Sequence, residues 1–596
     1  MCGICGIVGE APVQDPAPIR LMMSELAHRG PNGVGELISP HVALGMTRLA
    51  IIDIKGGLQP LYDCAGSVAL VVNGEIYNYK ELRRELGLRG HVLRTGSDAE
   101  VAVHLYEELG TEFVSRLRGM FALALWDPRL RLLVLARDRM GEKPLYFRLG
   151  RRSITFASEL RALVRSGTFN PELDPTATHE FFHYQYVPEP LTPLVGVSKL
   201  PAGHMMTVDV PRWRVEQRRY WSMVDAPALD GDPVEAIGDR LRSLAPLVTH
   251  ADVPVGVALS GGLDSSAVAA LAARSSPNQV HAFSLGYRGR PALDERGEAE
   301  QLAAVLGMRY HEIELSERDV VSSFGRLSRA WNEPIADLAG FSYLAIAESA
   351  GRAGVPVLLQ GQGGDELFWG YPWVRRALAE SRSHGFGNAA GPHRLTFYDL
   401  DPDYREAARG CHLLYAEEWL RRVDLGAPAA RFTVPRWPEN LAVEITRLIS
   451  QTYLLCNGIT QGDRITMSAS VELRLPLVDH RLVETTIGFR KRVDDHTLGP
   501  KAWLRGAVAE LLPEAVLRRP KRPFTPPVHR WHAALQRAYG RMLPDGTLVS
   551  MGVLRREAAE RLAAAPFPPE GGSPLSFKAL VLEAWCRTIF GELGIP

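Results

Sequence analysis

A cysteine directly follows the initiator methionine in the opening stretch MCGICGIVGE. Cells remove the initiator methionine when the next side chain is small, so we expect Cys2 to become the first residue of the mature chain. It would then carry a thiol and a free α-amine, which together supply a nucleophile and its own general base. Because an α-amine has a pKa of about 7.7–8.0, a useful fraction of it is neutral near pH 7. The competing interpretation is a small apolar residue that leads into a strand.

A glycine-rich turn, LSGGLDSS at 259–266, is the second stretch whose residue types suggest chemistry. It follows a predicted strand and precedes a predicted helix, where backbone N–H groups and the helix N-terminus can cradle phosphate. It has neither the GxxxxGK[ST] spacing of the phosphate loop nor the GxGxxG spacing of dinucleotide sites. The competing interpretation is an ordinary turn that uses glycine for tightness and serine as a helix cap.

A second acidic turn, QGQGGDELFWGY at 360–371, follows another predicted strand. Its Asp365 could meet Asp264 of the first turn, because the carboxyl ends of neighbouring parallel strands lie at one edge of a sheet. Mg²⁺ is usually held by one or two carboxylates together with phosphates. The two turns therefore predict a magnesium-dependent nucleotide site.

The elements that must position these residues differ between the two halves of the chain. The amino-terminal half has short apolar strands separated by turn residues and two helical stretches, which predicts a layered α/β sandwich. The predicted strands are 68–78, 121–127, 132–138 and 153–158, and the predicted helices lie near 18–28 and 97–110. A segment rich in proline and aspartate divides the halves, so we predict domains at 1–210 and 233–596 with a linker at 211–232.

Strands and helices alternate in the second half, which predicts a parallel, doubly wound sheet. The predicted strands are 253–259, 280–286, 310–315 and 355–361, and the predicted helices are 233–249, 265–274 and 294–306. The remainder of the chain is predicted to be mainly helical.

Composition excludes several functional classes. Lys plus Arg equals Asp plus Glu at 68 each, which argues against a nucleic-acid partner that depends on a strong basic field. No apolar run approaches the roughly 20 residues of a membrane span, and no secretion signal is evident. The six cysteines form no regular framework, and their one CxxC spacing is the CGIC of the opening stretch, which predicts a reducing cytoplasm, no structural zinc and a free Cys2 thiol.

Further motifs occur in order along both halves. They are HRGPNG (28–33), RLAIID (48–53), NGEIYN (73–78), TGSDAE (95–100), RDRMGEKPLYF (137–147), LPAGH (200–204), FSLG (283–286), DRITM (463–467), VELRLPLVD (471–479) and RRPKRPF (518–524). With the opening cysteine and the two turns, they resemble the glutamine-hydrolysing asparagine synthetase family of the B type over nearly the whole chain. The resemblance implies an αββα-sandwich glutaminase domain of the N-terminal-nucleophile type, followed by a doubly wound synthetase domain of the ATP-pyrophosphatase type.

The resemblance assigns roles in the first half. It implies that Cys2 attacks the side-chain amide of glutamine and releases ammonia, with Asn73 and Gly74 as donors to the oxyanion. Arg48 would grip the α-carboxylate of glutamine with its guanidinium fork, and Asp98 would lie near its α-amine. The implied glutamine-binding residues are Arg48, Leu49, Ile52, Asn73, Gly74, Glu75 and Asp98.

In the second half the resemblance implies that a carboxylate is activated by MgATP as an acyl-adenylate, which releases pyrophosphate. Ammonia would arrive through an internal tunnel and displace AMP. The implied ATP-binding residues are Leu259, Ser260, Gly261, Gly262, Asp264, Ser265, Ser266, Leu285, Gln360 and Gly361. Asp264 and Asp365 are the implied Mg²⁺ ligands. Lys521 matches a catalytic lysine at the reacting phosphates, and its competing interpretation is a solvated lysine in a loop rich in proline and arginine.

One departure bears on the acceptor. The family's turn usually reads Ser-Gly-Glu-Gly, whereas this chain has Gln360-Gly361-Gln362-Gly363. Gln362, at the acyl-substrate site, keeps the size and hydrogen bonding of glutamate but loses its charge and its ability to act as a base.

Three activities therefore stay open. The first is the amidation of aspartate to asparagine. The second is the amidation of another small carboxylic acid, such as a sugar acid or a natural-product intermediate, by ammonia or another nitrogen nucleophile. The third is an intramolecular amide-forming cyclase, against which the complete glutamine site argues. The expected partners are glutamine, ATP and the acceptor acid, without nucleic acid or membrane; the oligomeric state stays open, with a homodimer as one option.

Overall fold

A computed structural model describes residues 2–13, 15–290, 294–384, 393–434, 437–520, 526–568 and 571–591. Lys521, which was predicted to be catalytic, lies outside the described residues. No helix among the described residues combines the length and the apolar character that crossing a membrane requires.

Two antiparallel sheets of six strands form the amino-terminal half. One sheet has the strand order β10-β8-β9-β1-β3-β2 and the other the order β12-β11-β7-β6-β5-β4. The strands are β1 Cys2–Gly9, β2 Gly33–Ser39, β3 Val42–Arg48, β4 Leu61–Tyr62, β5 Ala69–Ile76, β6 Gly119–Asp127, β7 Leu132–Arg137, β8 Tyr146–Leu149, β9 Ser153–Ala157, β10 Val197–Lys199, β11 His204–Asp209 and β12 Arg214–Arg219. The helices are α1 Ala17–Glu25, α2 Tyr79–Leu88, α3 Glu100–Leu109, α4 Leu160–Arg165 and α5 Pro175–Tyr184.

The two sheets face each other, and helices cover their outer faces. An apolar cluster that includes Ile4 and Leu44 of one sheet and Val71 and Leu135 of the other fills the space between them. Helix α1 packs on β1 and β3, and α3 packs on β4 and β5. Because both faces of the central strands are covered, they are buried almost continuously instead of alternating. This arrangement confirms the predicted αββα sandwich.

Five parallel strands form the sheet of the second half, in the order β15-β14-β13-β16-β19. They are β13 Val255–Ala258, β14 His281–Tyr287, β15 Arg309–Leu315, β16 Val357–Leu359 and β19 Glu472–Arg474; β17 His393–Arg394 and β18 Thr433–Val434 form a separate small ladder. The parallel sheet confirms the predicted doubly wound fold. Its edge strand β19 was missed, because a three-residue strand with two charged residues carries no apolar pattern.

Helices surround this sheet and make up most of the remaining chain. They are α6 Pro233–Val248, α7 Leu263–Ser275, α8 Arg296–Val305, α9 Glu317–Trp331, α10 Gly340–Arg352, α11 Gly364–Leu367, α12 Pro372–His384, α13 Pro402–Gly410, α14 Glu417–Leu420, α15 Ala427–Ala430, α16 Leu441–Ile449, α17 Thr460–Ser468, α18 His480–Arg490, α19 Ala502–Ala507, α20 Glu514–Leu517, α21 Val528–Tyr539, α22 Thr547–Ser550, α23 Arg556–Ala564 and α24 Leu575–Phe590. A π-helix, Ser450–Ile459, connects α16 to α17.

The segment predicted as a linker, 211–232, contains strand β12, which pairs with β11 at the edge of the second sandwich sheet. Its residues therefore extend the amino-terminal half up to Arg219. Helix α6 then begins at Pro233, where the Asp232 carboxylate accepts a hydrogen bond from the Val234 N–H at 2.7 Å and caps the helix.

Buried ion pairs join the two halves. Asp463 of α17 binds Arg29 at 2.8 Å and Lys143 at 3.3 Å, and all three side chains are buried. Arg118 of the first half makes a two-pronged contact with Asp479 of the second, with both distances at 3.0 Å. Charges withdrawn from water this completely require their partners, so the halves depend on each other at these points.

We expect Asp463→Asn to lower the stability of the folded chain by about 3–5 kcal/mol, because it leaves Arg29 and Lys143 buried with too little negative charge. The shift in the unfolding midpoint, followed by heat or urea, measures this effect. Asp545→Asn is the matched control, because the Asp545–Arg556 pair is exposed and should add almost nothing. Equal midpoints for the two variants would contradict the prediction.

Two candidate active sites

Cys2 lies at the start of β1, where it pairs with Arg48 of β3 and faces the second sheet. Its backbone nitrogen donates a hydrogen bond to Oδ1 of Asn73 on β5, at 3.1 Å. The residue is 5% exposed. The sandwich therefore places the cysteine of one sheet directly against the NGE stretch of the other.

The side chain of Asn73 also carries a hydrogen-bond donor that is not used within the described residues. Its side-chain Nδ2 is buried and has no hydrogen-bond partner among the described residues. Gly74 follows with a φ of +150°, and a Cβ at this position would lie 2.0 Å from the Met120 carbonyl oxygen, so no larger residue fits. A buried amide N–H that points at no acceptor costs free energy unless a ligand takes it. The arrangement suits an oxyanion that forms beside the thiol.

The surroundings of the Cys2 thiol favour its protonated form, so a base has to remove the proton. Burial raises the pKa of Cys2, and the positive amino terminus, the Leu49 N–H and the Arg48 guanidinium offset this only in part. A nucleophile of this kind needs a group that removes its proton as it attacks. The α-amine that would follow methionine removal is the nearest such group along the chain.

A pocket opens beside Cys2, and most of the predicted glutamine-binding residues line it. The lining residues are Cys2, Arg48, Leu49, Ile51, Ile52, Gly57, Gln59, Gly74, Glu75, Ser97, Asp98, Ala99 and Glu472. Arg48 holds the adjoining loop through hydrogen bonds to the carbonyl oxygens of Ile52 at 3.1 Å, Asp53 at 2.6 Å and Ile54 at 3.1 Å. The guanidinium is thereby fixed at the pocket wall.

Asp98 lines the same pocket from a different loop. Its Oδ2 accepts a hydrogen bond from the Ile76 N–H at 2.7 Å, which ties it to the end of β5. Burial raises the pKa of Asp98 to about 6, although the Ile76 N–H opposes the shift. The carboxylate is therefore charged at neutral pH and close to its titration point.

The second candidate site begins at the carboxyl end of β13. The hydroxyl of Ser260 lies 2.9 Å from that of Ser265 and accepts the Gly262 N–H at 3.1 Å, so the turn is closed by its own serines. Helix α7 starts immediately afterwards at Leu263. Ser266 is fully buried, and its hydroxyl has no hydrogen-bond partner among the described residues.

The second turn, after β16, packs directly on the first. A Cβ at Gly361 would lie 2.9 Å from the Cβ of Asp264, and one at Gly364 would lie 2.5 Å from its Cγ. Both positions therefore require glycine. Gln360 is 4% exposed, and its Nε2 has no hydrogen-bond partner among the described residues. Leu259 donates its N–H to Phe283 at 2.8 Å, and Leu285 lies on the neighbouring strand β14.

Asp264 and Asp365 converge on one cation. The Lys501 ammonium, at the start of α19, lies 2.5 Å from Asp264 and 2.7 Å from Asp365. Burial disfavours the ammonium charge, but the two carboxylates hold the pKa of Lys501 above its usual value. The two carboxylates already share one positive charge, and their oxygens are the kind of ligand that Mg²⁺ prefers. The residues present therefore fit a magnesium site. Lys501 was not singled out from the sequence; the KAWLR stretch that carries it has no distinctive spacing.

Gln362 lies against Gly462 of α17. Its side-chain amide is buried, and neither the oxygen nor the nitrogen of that amide has a hydrogen-bond partner among the described residues. Glu366 accepts hydrogen bonds from the Gly363 N–H and the Tyr371 hydroxyl, both at 3.1 Å. Burial, and then Asp365, raise the pKa of Glu366 to about 7. Tyr371 in turn contacts Trp373 and Tyr453 ring to ring.

Comparison with known proteins decides the family. Residues 1–221 match the glutamine amidotransferase domain and residues 239–587 match asparagine synthase. The chain belongs to the asparagine synthase family. Asparagine synthetase 1 of Bacillus subtilis is 29% identical over 559 residues, which cover 89% of this chain and 88% of that protein. Asparagine synthetase 3 of the same organism is 30% identical over 560 residues, with 88% and 87% coverage. Amidase chyE of Penicillium rubens is 27% identical over 675 residues, with 100% and 99% coverage.

As a member of the asparagine synthase family, the protein is a carbon–nitrogen ligase that takes its amide nitrogen from glutamine. The pocket beside Cys2 also contains a residue of the other half, Glu472 of β19, which sequence reasoning missed. Although burial opposes ionisation, the amino terminus and Arg474 lower the pKa of Glu472 to about 2. The VELRLPLVD motif that carries it was noted without a role.

Acid should weaken glutamine use by this enzyme. The family resemblance implies that Asp98 lies at the α-ammonium of glutamine, so we expect kcat/KM for glutamine hydrolysis to fall below about pH 6, where this carboxylate becomes protonated. Asp98→Asn should lower kcat/KM at neutral pH and flatten this acidic limb. A pH profile of glutamate release measures both effects. Amide synthesis from ammonium salts is the control, since it bypasses the pocket; an acidic limb unchanged in Asp98→Asn would contradict the assignment.

Proposed function

We propose that Cys2 is the nucleophile of glutamine hydrolysis. The contact between its backbone nitrogen and Asn73 carries the proposal, since it places the future α-amine, the thiol and an unused amide donor at one point. The thiolate attacks the side-chain amide carbon, ammonia leaves with the proton taken from the thiol, and water then releases glutamate. The Asn73 amide stabilises the oxyanion with Gly74, while Arg48 and Asp98 hold the two ends of the substrate's amino acid backbone. Leu49, Ile52 and Glu75 complete the pocket.

The second site activates the acceptor. The serine turn and the amino end of α7 bind the phosphates of ATP, and Gln360 offers its free amide donor nearby. Asp264 and Asp365 would hold Mg²⁺, which screens the phosphate charge when bound. When Mg²⁺ takes the position between the carboxylates, the Lys501 ammonium would move to the phosphates and stabilise their negative charge. The acceptor carboxylate displaces pyrophosphate, and ammonia then displaces AMP. Lys521 is proposed at the reacting phosphates from the sequence resemblance alone.

Cys2→Ala should abolish glutamine-dependent synthesis and spare synthesis from ammonium salts, because the thiol chemistry and the adenylation lie in different halves. Glutamate release and pyrophosphate release, measured separately with each nitrogen source, test this. Cys5→Ala is the matched control, since Cys5 is a second buried thiol on the same strand. Equal loss with both nitrogen sources would make Cys2 structural, and surviving glutaminase activity would require another nucleophile.

We further propose that the acceptor is a carboxylic acid other than free aspartate. Gln362 supports this, because a neutral amide replaces the carboxylate usual in the family, and both polar atoms of this buried amide have no hydrogen-bond partner among the described residues. A sugar acid or a natural-product intermediate, with polar groups other than those of aspartate, is an acceptor of this kind. A relative named as an amidase, rather than as an asparagine synthetase, spans the whole chain.

ATP–pyrophosphate exchange against a panel of carboxylic acids tests this proposal. We expect aspartate to be a poor acceptor for the wild type. Gln362→Glu should improve aspartate-dependent pyrophosphate release and weaken turnover of the true acceptor, because polar mismatch in a buried site discriminates strongly. Gln362→Ala is the control that removes the amide without adding charge. Efficient asparagine formation by the wild type, with kcat/KM of about 10⁴ M⁻¹s⁻¹ or more, would overturn the proposal.

A further inference from the structure

Four potential metal ligands meet on the outer side of the glutaminase sandwich, away from Cys2. Cys64 lies in the loop between β4 and β5, His91 follows α2, and His104 and Glu107 lie one turn apart on α3. Their ligand atoms all lie within 4.8 Å of one another. Neither the glutaminase reaction nor the synthetase reaction uses any of the four.

The spacing of these atoms is that of a tetrahedron around one ion. The Sγ of Cys64 lies 3.6 Å from Nδ1 of His91 and 3.5 Å from Nδ1 of His104, and the two nitrogens are 3.3 Å apart. Oε2 of Glu107 lies 3.4 Å and 3.1 Å from the same nitrogens. Zn²⁺ with bonds of about 2.3 Å to sulfur and about 2.0–2.1 Å to nitrogen implies edges of about 3.3–3.6 Å in such a tetrahedron.

His91 directs its second nitrogen at a carboxylate. Nε2 of His91 lies 2.8 Å from Glu108, which Arg89 holds in place at 3.1 Å. A histidine that offers its Nε2 proton to a carboxylate presents a lone pair at Nδ1, which is the usual carboxylate–histidine–metal arrangement. Nε2 of His104 lies 3.7 Å from Glu100, beyond hydrogen-bond distance, and has no hydrogen-bond partner among the described residues.

The Cys64 sulfur, the Nδ1 atoms of both rings and the Glu107 carboxylate can therefore all present lone pairs at one point. Acceptors this close repel one another unless protons or a cation lie among them, and one metal ion satisfies all four at once. The mixture of thiolate, imidazole and carboxylate suits zinc rather than Mg²⁺ or Ca²⁺, which prefer oxygen alone.

A second cluster in the described residues, His179, His183 and Cys411, lacks these features. Nδ1 of His183 lies 2.9 Å from the His179 carbonyl oxygen and therefore carries its proton there. Nδ1 of His179 lies 3.1 Å from the Tyr415 hydroxyl. Only three side chains contribute, and the nitrogens already have partners within the protein. This cluster serves as an internal comparison.

We propose that Cys64, His91, His104 and Glu107 bind one structural Zn²⁺ ion. Four protein ligands close the coordination sphere, which is typical of a structural rather than a catalytic zinc. The ion ties the β4–β5 loop and the end of α2 to α3. Asp98 of the glutamine pocket lies two residues before α3, so the zinc also fixes one wall of that pocket. The proposal differs from the expectation, drawn from the scattered cysteines, that the chain holds no structural zinc.

The metal content of the purified full-length chain tests the proposal. All samples carry Cys2→Ala, so that the active-site thiol cannot bind metal. After reconstitution with Zn²⁺ and dialysis into metal-free buffer, we expect about one zinc per chain by mass spectrometry. Cys64→Ser and Glu107→Gln should each lose most of it, whereas Cys411→Ser should keep it. Zinc well below one per chain in the parent, or retained zinc in Cys64→Ser, would overturn the proposal, as would loss in Cys411→Ser alone.

Cobalt gives a second readout that does not depend on how well a variant folds. Co²⁺ added to the zinc-free parent should produce the visible bands of a tetrahedral site and a thiolate charge-transfer band, both saturating at one equivalent. Zn²⁺ should then displace the cobalt and raise the thermal midpoint of the stripped protein by a few °C, as expected when a ligand binds only the folded state. Octahedral spectra without thiolate charge transfer, or an unchanged midpoint, would contradict the site.

Discussion

The buried side chain of Arg474 joins the two active sites. Its guanidinium pairs with Glu75 of the glutaminase sandwich and with Glu472 of its own strand at 2.7 Å. It also donates hydrogen bonds to the carbonyl oxygens of Val248 and His250, both at 2.8 Å. Such a group cannot be withdrawn from water without all of its partners, because an unpaired buried guanidinium is strongly destabilising. The relative position of the halves is therefore set beside the pocket that contains Cys2, Glu75 and Glu472.

The backbone of the same residue reaches the other site. The Arg474 carbonyl oxygen accepts the Gln360 N–H at 3.1 Å, at the start of the turn that carries Gln362 and Asp365. A short path of covalent and hydrogen bonds thus runs from the NGE stretch of the sandwich to the acidic turn of the synthetase sheet. Displacement of either strand changes the geometry of both pockets.

Much of this arrangement could be predicted from the sequence, because the predictive residues are close together along the chain. The strand–turn–helix of 259–266 and the acidic turn of 360–371 are local patterns, and their meeting follows from the rules for parallel sheets. Cys2 and the NGE stretch are far apart, and only resemblance to a family brought them together. Their contact in the structure agrees with that expectation, while the roles of the individual residues await the experiments above.

Features built from distant or irregular segments could not be predicted. Strand β19 has three residues and two charges, so no periodicity marks it, yet it supplies Glu472 to the glutamine pocket. Helix α2 was missed because its apolar positions are few among charged residues. The four proposed zinc ligands come from separate loops and one helix, with a single cysteine among them, so no spacing motif exists to be found.

The lysine between the two aspartates has a consequence for how the enzyme rests between turnovers. Two carboxylates facing each other repel, and Lys501 relieves that repulsion without any metal. If the two aspartates hold Mg²⁺ as proposed, a bare ion would have to displace the ammonium and would gain only two carboxylates. An ion that arrived with a nucleotide would bring phosphate oxygens as well, and these would offer the displaced ammonium a new anion. Such a site would favour the preformed metal–nucleotide pair over sequential loading.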